Sequence, residues 1–333
     1  MKCKFLCLLF FVIINGFLLS ALRAQDTTYN RQFRLSIDDD FINLRGKGTD
    51  EAYTAGTNFS LFYDKHHTSR FFLDRWMPRA GPQAINTFGW GIAQLIYTPR
   101  DINRVPPDPD DYRYAGALIA VHSLYSYNPD KNYSFQTEIV GGVMGPPSLA
   151  EEAQKFFHSV IGYRSPAGWN YQLPTDALLN VNITAEELFF KYGKLAEITG
   201  VARLAAGTME DGLTIYGKIR AGIMNPYFNG FMQQHSSLAI KRRLQVYAFI
   251  EPGAEVLGYY ALIERGLFNN KPSYYDNKHT RAPDNRKLIG HVDGGLIFSS
   301  GKVAVSVSEK IATSMLKDVR AHSVGNVSFY IAW

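Results

Sequence analysis

The sequence predicts an all-β protein, a transmembrane antiparallel up-and-down β-barrel of about 12 strands with a short helix in one loop. Three observations predict it. The chain opens with an export leader, its body alternates apolar and polar residues with a period of two, and its last strand ends on an aromatic residue.

Lys2 and Lys4 make a short basic start, Phe5 to Ile14 is almost wholly apolar, and Ala21-Leu22-Arg23-Ala24 precedes Gln25. This is the pattern of a secretory signal peptide over residues 1–24, cleaved after Ala24, with residues 25–333 as one barrel domain. The apolar core is shorter than the roughly 20 residues a spanning helix needs, and no later stretch approaches such a run. Both cysteines, Cys3 and Cys7, lie in the leader, which excludes disulfides, thiol catalysis and cysteine metal sites from the exported protein. The leader also carries Lys2, Lys4 and Arg23. Without them the 35 basic residues fall to 32 against 30 acidic ones, and the net charge drops from +5 to +2. Nothing in that balance favours nucleic acid as a partner.

The alternation recurs along the body. Phe33, Leu35 and Ile37 alternate with Arg34 and Ser36. Tyr133, Phe135, Ile139 and Val143 share one face, opposite Ser134, Gln136 and Glu138. Ile198, Ala202 and Leu204 oppose Glu197, Thr199 and Arg203, and Leu213, Ile215, Ile219, Ala221 and Ile223 oppose Thr214, Tyr216, Lys218 and Arg220. Val303, Val305 and Val307 oppose Lys302, Ala304 and Ser306. A strand sends successive side chains to opposite faces, so each segment has one oily and one polar surface. A soluble sandwich would show the same alternation. Two features favour a membrane barrel: several segments reach the roughly 10 residues that cross a bilayer obliquely, and Val327, Phe329, Ile331 and Trp333 close the chain on one face. The aromatic share (20 Tyr, 22 Phe and 4 Trp) suits interfacial girdles. An outer-membrane location and contact with outer membrane lipids follow. The oligomeric state stays open, because lipid-facing and partner-facing apolar residues look alike.

Two stretches break the pattern. Arg100 to Tyr112, rich in Pro and Asp, reads as a loop. From Ser148 to Gly162, Leu149, Ala153, Phe156, Phe157 and Val160 recur at helical spacing, and this short helix carries Gln154 and His158 one turn apart on one face. Four of the eight histidines precede serine, at His122, His158, His235 and His322, but strand neighbours point to opposite faces and make no nucleophile–base pair. There is no G-x-S-x-G elbow, HExxH motif, P-loop or GxGxxG. Any hydrolysis would use an activated water. At the end of the first strand stand Asp38-Asp39-Asp40-Phe41, followed by Gly48-Thr49-Asp50 and Tyr53-Thr54-Ala55-Gly56. Consecutive carboxylates repel unless a cation or basic group compensates them, and hard oxygen donors suit Ca²⁺. The cluster reads equally as a solvated turn.

Read together, these pieces resemble the lipid A 3-O-deacylase (LpxR) family of outer membrane proteins. Asp39-Asp40-Phe41, Thr49-Asp50 and Tyr53-Thr54-Ala55-Gly56 are similar to its N-terminal signature, with Asp39-Asp40 (or Asp38-Asp39) where the family has Asn-Asp. Ile96 to Ile102, Asp111 to Gly116, Gly142 to Pro146, Gln154, His158, Gly168-Trp169 and Gln172-Leu173 follow the family's order. The resemblance implies a 12-stranded barrel with a site at its outer rim, which removes the 3-position acyl chain of lipid A, the anchor of lipopolysaccharide, by Ca²⁺-dependent ester hydrolysis. It further implies His158 as general base for a water, Asp39 and Asp40 holding the cation or shaping the site, Thr54 beside them, and Arg100 helping to stabilise the oxyanion. The competing expectation is a non-enzymatic barrel, a channel or structural protein. A wide lumen ringed with charge would favour the channel; a lumen filled by side chains, with His158 and the acidic pair meeting at one rim, would favour the enzyme.

Overall fold

A computed structural model of the protein describes residues 28–43, 52–64, 71–225, 238–239, 244–269, 273–276, 285–317, 319 and 321–333. The leader and its cleavage point, together with Thr49, Asp50, His66, His67, His235 and His279, lie outside the described residues.

Twelve antiparallel strands close into one barrel. They are β1 (Arg31–Asp39), β2 (Ala52–Asp64), β3 (Ile85–Thr98), β4 (Ala115–Asn128), β5 (Tyr133–Met144) and β6 (Asp176–Tyr192). There follow β7 (Ala196–Gly207), β8 (Glu210–Ile223), β9 (Leu244–Tyr260), β10 (Leu288–Ser300), β11 (Val303–Ala312) and β12 (His322–Ala332). Each strand pairs with its neighbours in sequence, and β12 closes on β1 with Gly325 opposite Asp39 and Ile331 opposite Phe33. The terminal strand that the sequence marks is the closing strand. Among the described residues two α-helices accompany the barrel, α1 (Ala150–Ile161) and the single turn α2 (Ala261–Glu264). Among the described residues no helix is long and apolar enough to cross a membrane.

The direction of the side chains separates a membrane barrel from a sandwich. Leu204, Ile215 and Ile331 point out of the barrel and are 53%, 58% and 48% exposed, whereas Thr199, Lys218 and Arg220 on the alternate positions are buried inside. An oily belt turned outward suits lipid, and a polar interior replaces the solvent the wall excludes. Inside, Arg220 pairs with Glu197, and Lys218 lies 3.6 Å from Glu186 and 3.4 Å from Glu251. At the end where β1 finishes, the lumen is packed by Tyr97, Tyr112, Tyr260, Leu262 of α2 and Leu316. The barrel is filled with side chains there.

The irregular stretches fall at that same end. Residues 99–114 join β3 to β4 without a strand, and α1 stands in the connection from β5 to β6. The helix stops at Gly162, whose φ of +69° is a left-handed conformation that costs glycine little.

Candidate active site on the outer wall

The register puts the three aspartates of the first strand on different sides. Asp38 pairs with Gly56 and Asn326 and faces the lumen. Its carboxylate accepts from Lys310 Nζ at 3.0 and 3.1 Å, from Asn326 Nδ2 at 2.6 Å and from Tyr53 OH at 2.8 Å. Asp39 pairs with Ala55 and Gly325 and faces outward, on the same side as Phe33 and Ile37. Its Oδ1 accepts the Phe41 N–H at 2.8 Å and so caps the single 3-10 turn Asp40–Ile42. That turn lies over β12, where only a glycine fits: a Cβ on Gly325 would stand 1.9 Å from the Ile42 carbonyl oxygen. Asp39 and Asp40 are both buried there.

Thr54 reaches the same place through a bulge. In the pairing of β2 with β3, Tyr53 faces Tyr97 and Ala55 faces Ile96, so Thr54 is the extra residue. Tyr53 turns inward to Asp38, while Thr54 and Ala55 both line the outer surface. A bulge re-aims side chains in this way beside functional sites. Thr54 Oγ1 lies 2.6 Å from Thr98 Oγ1.

The helix α1 supplies the other half. Its wall-facing side carries Ala150, Gln154 and His158, all buried. It sits so close to β4 that a Cβ on Gly116 would be 2.2 Å from Ala150 Cβ and 2.4 Å from Ser148 Oγ. Gln94 of the outer wall donates from Nε2 to the Ser148 carbonyl at 2.7 Å and ties the start of the helix down. Beneath it, Ile96, Tyr114, Ala150 and Trp169 form a small apolar cluster, with the Tyr114 and Trp169 rings 5.1 Å apart. The motif positions Tyr114, Gly116 and Trp169 are therefore the seat of the helix.

Two hydrogen bonds orient its functional side chains. His158 Nδ1 donates to the Arg164 carbonyl in the turn that follows the helix. A carbonyl only accepts, so this bond fixes the proton on Nδ1 and makes Nε2 the acceptor of the neutral ring. Trp169 Nε1 donates to Gln154 Oε1 at 2.8 Å, which fixes the amide the right way round. Gln154 Nε2, buried, then meets no acceptor among the described residues.

These side chains line one cavity of about 110 Å³, bounded by Ile37, Asp38, Asp39, Asp40, Thr54, Gln94, Gln154, Phe157 and His158 among others. Four of the five residues that the sequence singled out (Asp39, Asp40, Thr54 and His158) meet there. Arg100 does not. It is exposed at the start of the 99–114 loop, and its backbone N–H donates to Asp111 Oδ2 at 2.8 Å. It is not among the residues that line the cavity, so this geometry lends no support to the expected oxyanion role for Arg100. The donor that sequence reasoning left without a role is Gln154, although its spacing from His158 and its place in the family's motif order both marked it.

The donor set also bears on a cation. Ca²⁺ takes six to eight oxygens. Among the described residues no three or more His, Cys, Asp or Glu side chains converge so as to hold a metal ion. Asp39 and Asp40 alone do not compose a Ca²⁺ site.

A family model described as outer membrane protein LpxR matches residues 5–333. Among solved structures, LpxR from Salmonella typhimurium is similar with a TM-score of 0.71 at 16% identity, covering 91% of this chain and 100% of that one. The β domain of the Bordetella autotransporter BrkA gives a TM-score of 0.43 at 9% identity, over 91% and 99% of the two chains. No curated protein sequence matches the chain. With the family model spanning almost the whole sequence and the barrel closed as the motifs require, the chain belongs to the LpxR family of outer membrane proteins.

Proposed function

We propose that this outer-membrane barrel hydrolyses the 3-position acyl ester of lipid A, with His158 as the general base. The observation that carries the reading is the meeting of His158, Gln154, Asp39, Asp40 and Thr54 in one cavity on the outer wall. That position faces lipid, so a lipid need not leave the membrane to reach the base.

His158 Nε2 takes a proton from a water, and the water oxygen bonds to the ester carbonyl carbon. The oxyanion that forms is met by the Gln154 Nε2–H, a buried donor already aimed by Trp169. Such a donor costs no reorganisation when the charge develops. The tetrahedral intermediate collapses, the bond from carbon to the sugar oxygen breaks, and that oxygen takes the proton from the His158 imidazolium. Asp39 and Asp40 give the cavity an acidic wall that favours the imidazolium while it exists. Thr54, against Thr98, lines the cavity beside them.

Asp39 and Asp40 would meet a Ca²⁺ ion, which would polarise the ester carbonyl, with its remaining oxygens drawn from backbone, amide or water. Residues 44–51, which include Asp50 and Glu51, adjoin the cavity in sequence and lie outside the description. Dependence on Ca²⁺ is thus proposed on the resemblance alone, with Asp39 and Asp40 as the side chains that would meet the ion. Export by a leader cleaved after Ala24 is proposed on the basic start, apolar run and small-residue end of residues 1–24.

The test is a mass measurement. Lipid A incubated with the purified barrel and Ca²⁺ loses the mass of one 3-position acyl chain. His158→Ala abolishes the loss while the barrel keeps its heat-modifiable mobility on gels. If wild type leaves lipid A intact and the variant behaves identically, the non-enzymatic barrel is the correct reading. The packed lumen already counts against a channel.

A further inference from the structure

We infer that α1 is an interfacial membrane helix, with Leu149, Phe156, Phe157 and Val160 immersed in the hydrocarbon tails of the outer leaflet. This goes beyond the proposed reaction and does not rest on it.

The sequence of α1 has three sectors when its residues are placed 100° apart. Ala150, Gln154 and His158 form a buried sector against the barrel wall. Glu151, Glu152, Lys155 and Ser159 form a polar sector. Between these, Phe156 and Val160 fall within about 40° of one another by the same geometry, with Leu149 exposed at the N-cap and Phe157 bridging to the cavity. Phe156 is 69% exposed and Val160 67%. A two-faced helix on a soluble protein would leave no such sector. Three sectors suit a helix that meets protein, water and lipid at once.

The occupant follows from continuity with the barrel's oily belt. The cavity floor is Thr57, Gln94 and Ile96, on the outward face of β2 and β3. Phe59 and Ile92 stand two residues further along those strands on the same face, at 49% and 57% exposure. Two residues of strand span about 7 Å. The exposed sector of α1 therefore continues the lipid-facing surface, and Phe41 and Ile42, both half exposed, extend it across the cavity mouth. An amphipathic helix of this kind lies in the headgroup–acyl boundary with its oily side about 5–10 Å deep. This is the depth of a lipid's ester linkages, so the helix that carries His158 also sets its level in the membrane.

Spin labels read that depth directly. Phe156→Cys, Val160→Cys and Lys155→Cys are each made in the full chain with Cys3 and Cys7 changed to Ser, labelled, and reconstituted in phosphatidylethanolamine–phosphatidylglycerol vesicles. Heat-modifiable gel mobility certifies the fold. Labels at 156 and 160 should relax strongly with oxygen and weakly with a nickel chelate, and the label at 155 should show the reverse. Nickel accessibility at 156 and 160 equal to that at 155 overturns the inference. So does exclusion of both reagents with spin–spin broadening, which would mean that a second copy covers the face. Neither result depends on turnover, so loss of the deacylase reading leaves this measurement decisive.

Discussion

Gly116→Ala tests the link from sequence to catalysis at a single atom. The added Cβ would lie 2.2 Å from Ala150 Cβ and 2.4 Å from Ser148 Oγ, and real Cβ contacts stay beyond 3.0 Å. Ser148 is fully buried and donates to the Gly145 carbonyl, and Ala150 has no rotamer to change. Relief must come from a shift of the helix start by about 1 Å, at an overpacking cost of about 1–3 kcal/mol. The barrel ladder does not involve this contact, so the fold survives. His158 and Gln154 ride on the helix, and a misplacement of about 1 Å at the reacting groups costs about 10²-fold in rate. The assay is the initial rate of acyl release from lipid A, with gel mobility as the fold check. Ala150→Gly in the same chain removes one of the two clashing atoms and should recover part of the rate. Full activity in Gly116→Ala, or a barrel that no longer folds, would refute the claim that this glycine seats the catalytic helix.

Other outcomes follow from the same geometry. Gln154→Ala should slow acyl release about 10²-fold, as loss of one oxyanion donor does. Trp169→Phe, which keeps the ring but frees the amide to turn over, should slow it about tenfold, in line with the loss of one buried hydrogen bond; equal rates in both variants and wild type would remove Gln154 from the mechanism. Asp38 borders the cavity, but its carboxylate is tied up by Lys310, Asn326 and Tyr53, so Asp38→Asn should leave the rate within about twofold, whereas Asp40→Asn should lower it at least about tenfold. A reversed order would mean that the strand is read in the wrong register. Chelation of Ca²⁺ should abolish acyl release and its readdition restore it; activity that persists in excess chelator would leave the acidic wall as a purely electrostatic device.

Much of this molecule is legible in its sequence because a barrel wall obeys one rule. Phe33, Leu35 and Ile37 alternate with Arg34 and Ser36, and the register turns the first set outward and the second into the lumen. The helix over Leu149 to Val160 announces itself by a change of period, and Gly162 ends it. What alternation cannot show is where the period slips. The bulge at Thr54 puts two consecutive residues on one face, so strict counting would have sent either Thr54 or Ala55 inward. The three aspartates illustrate the same limit: their residue type is identical, and only the pairing with β12 assigns Asp38 to Lys310 and Asp39 to the outer wall. Arg100 shows a further limit. A basic residue at a strand end suggests a site, yet Arg100 is exposed and outside the cavity lining, and no local signal carries the direction of a loop.

The division between the two sides of the wall has a consequence for how this site is built. A buried ion pair is costly to form, and removing one partner strands the other, at about 3–5 kcal/mol. The lumenal charges, Glu197 with Arg220 and Lys218 between two glutamates, are therefore bound to one another and to the barrel's integrity. They have little freedom to act on a substrate. On the outer wall the groups are held differently. His158 donates to a backbone carbonyl, Gln154 accepts from an indole and Asp39 accepts from a backbone amide, and each of these three anchors is neutral. Neutral anchors orient a side chain without fixing its protonation at the atom that reacts. A histidine held at Nδ1 by a carboxylate would keep its imidazolium more firmly, and would return the proton to the departing sugar oxygen less readily, than one held by the Arg164 carbonyl. Arg164→Pro leaves that carbonyl in the chain but changes the turn that aims it. Loss of rate in Arg164→Pro with retention in Arg164→Ala would separate the carbonyl from the arginine side chain as the group that matters.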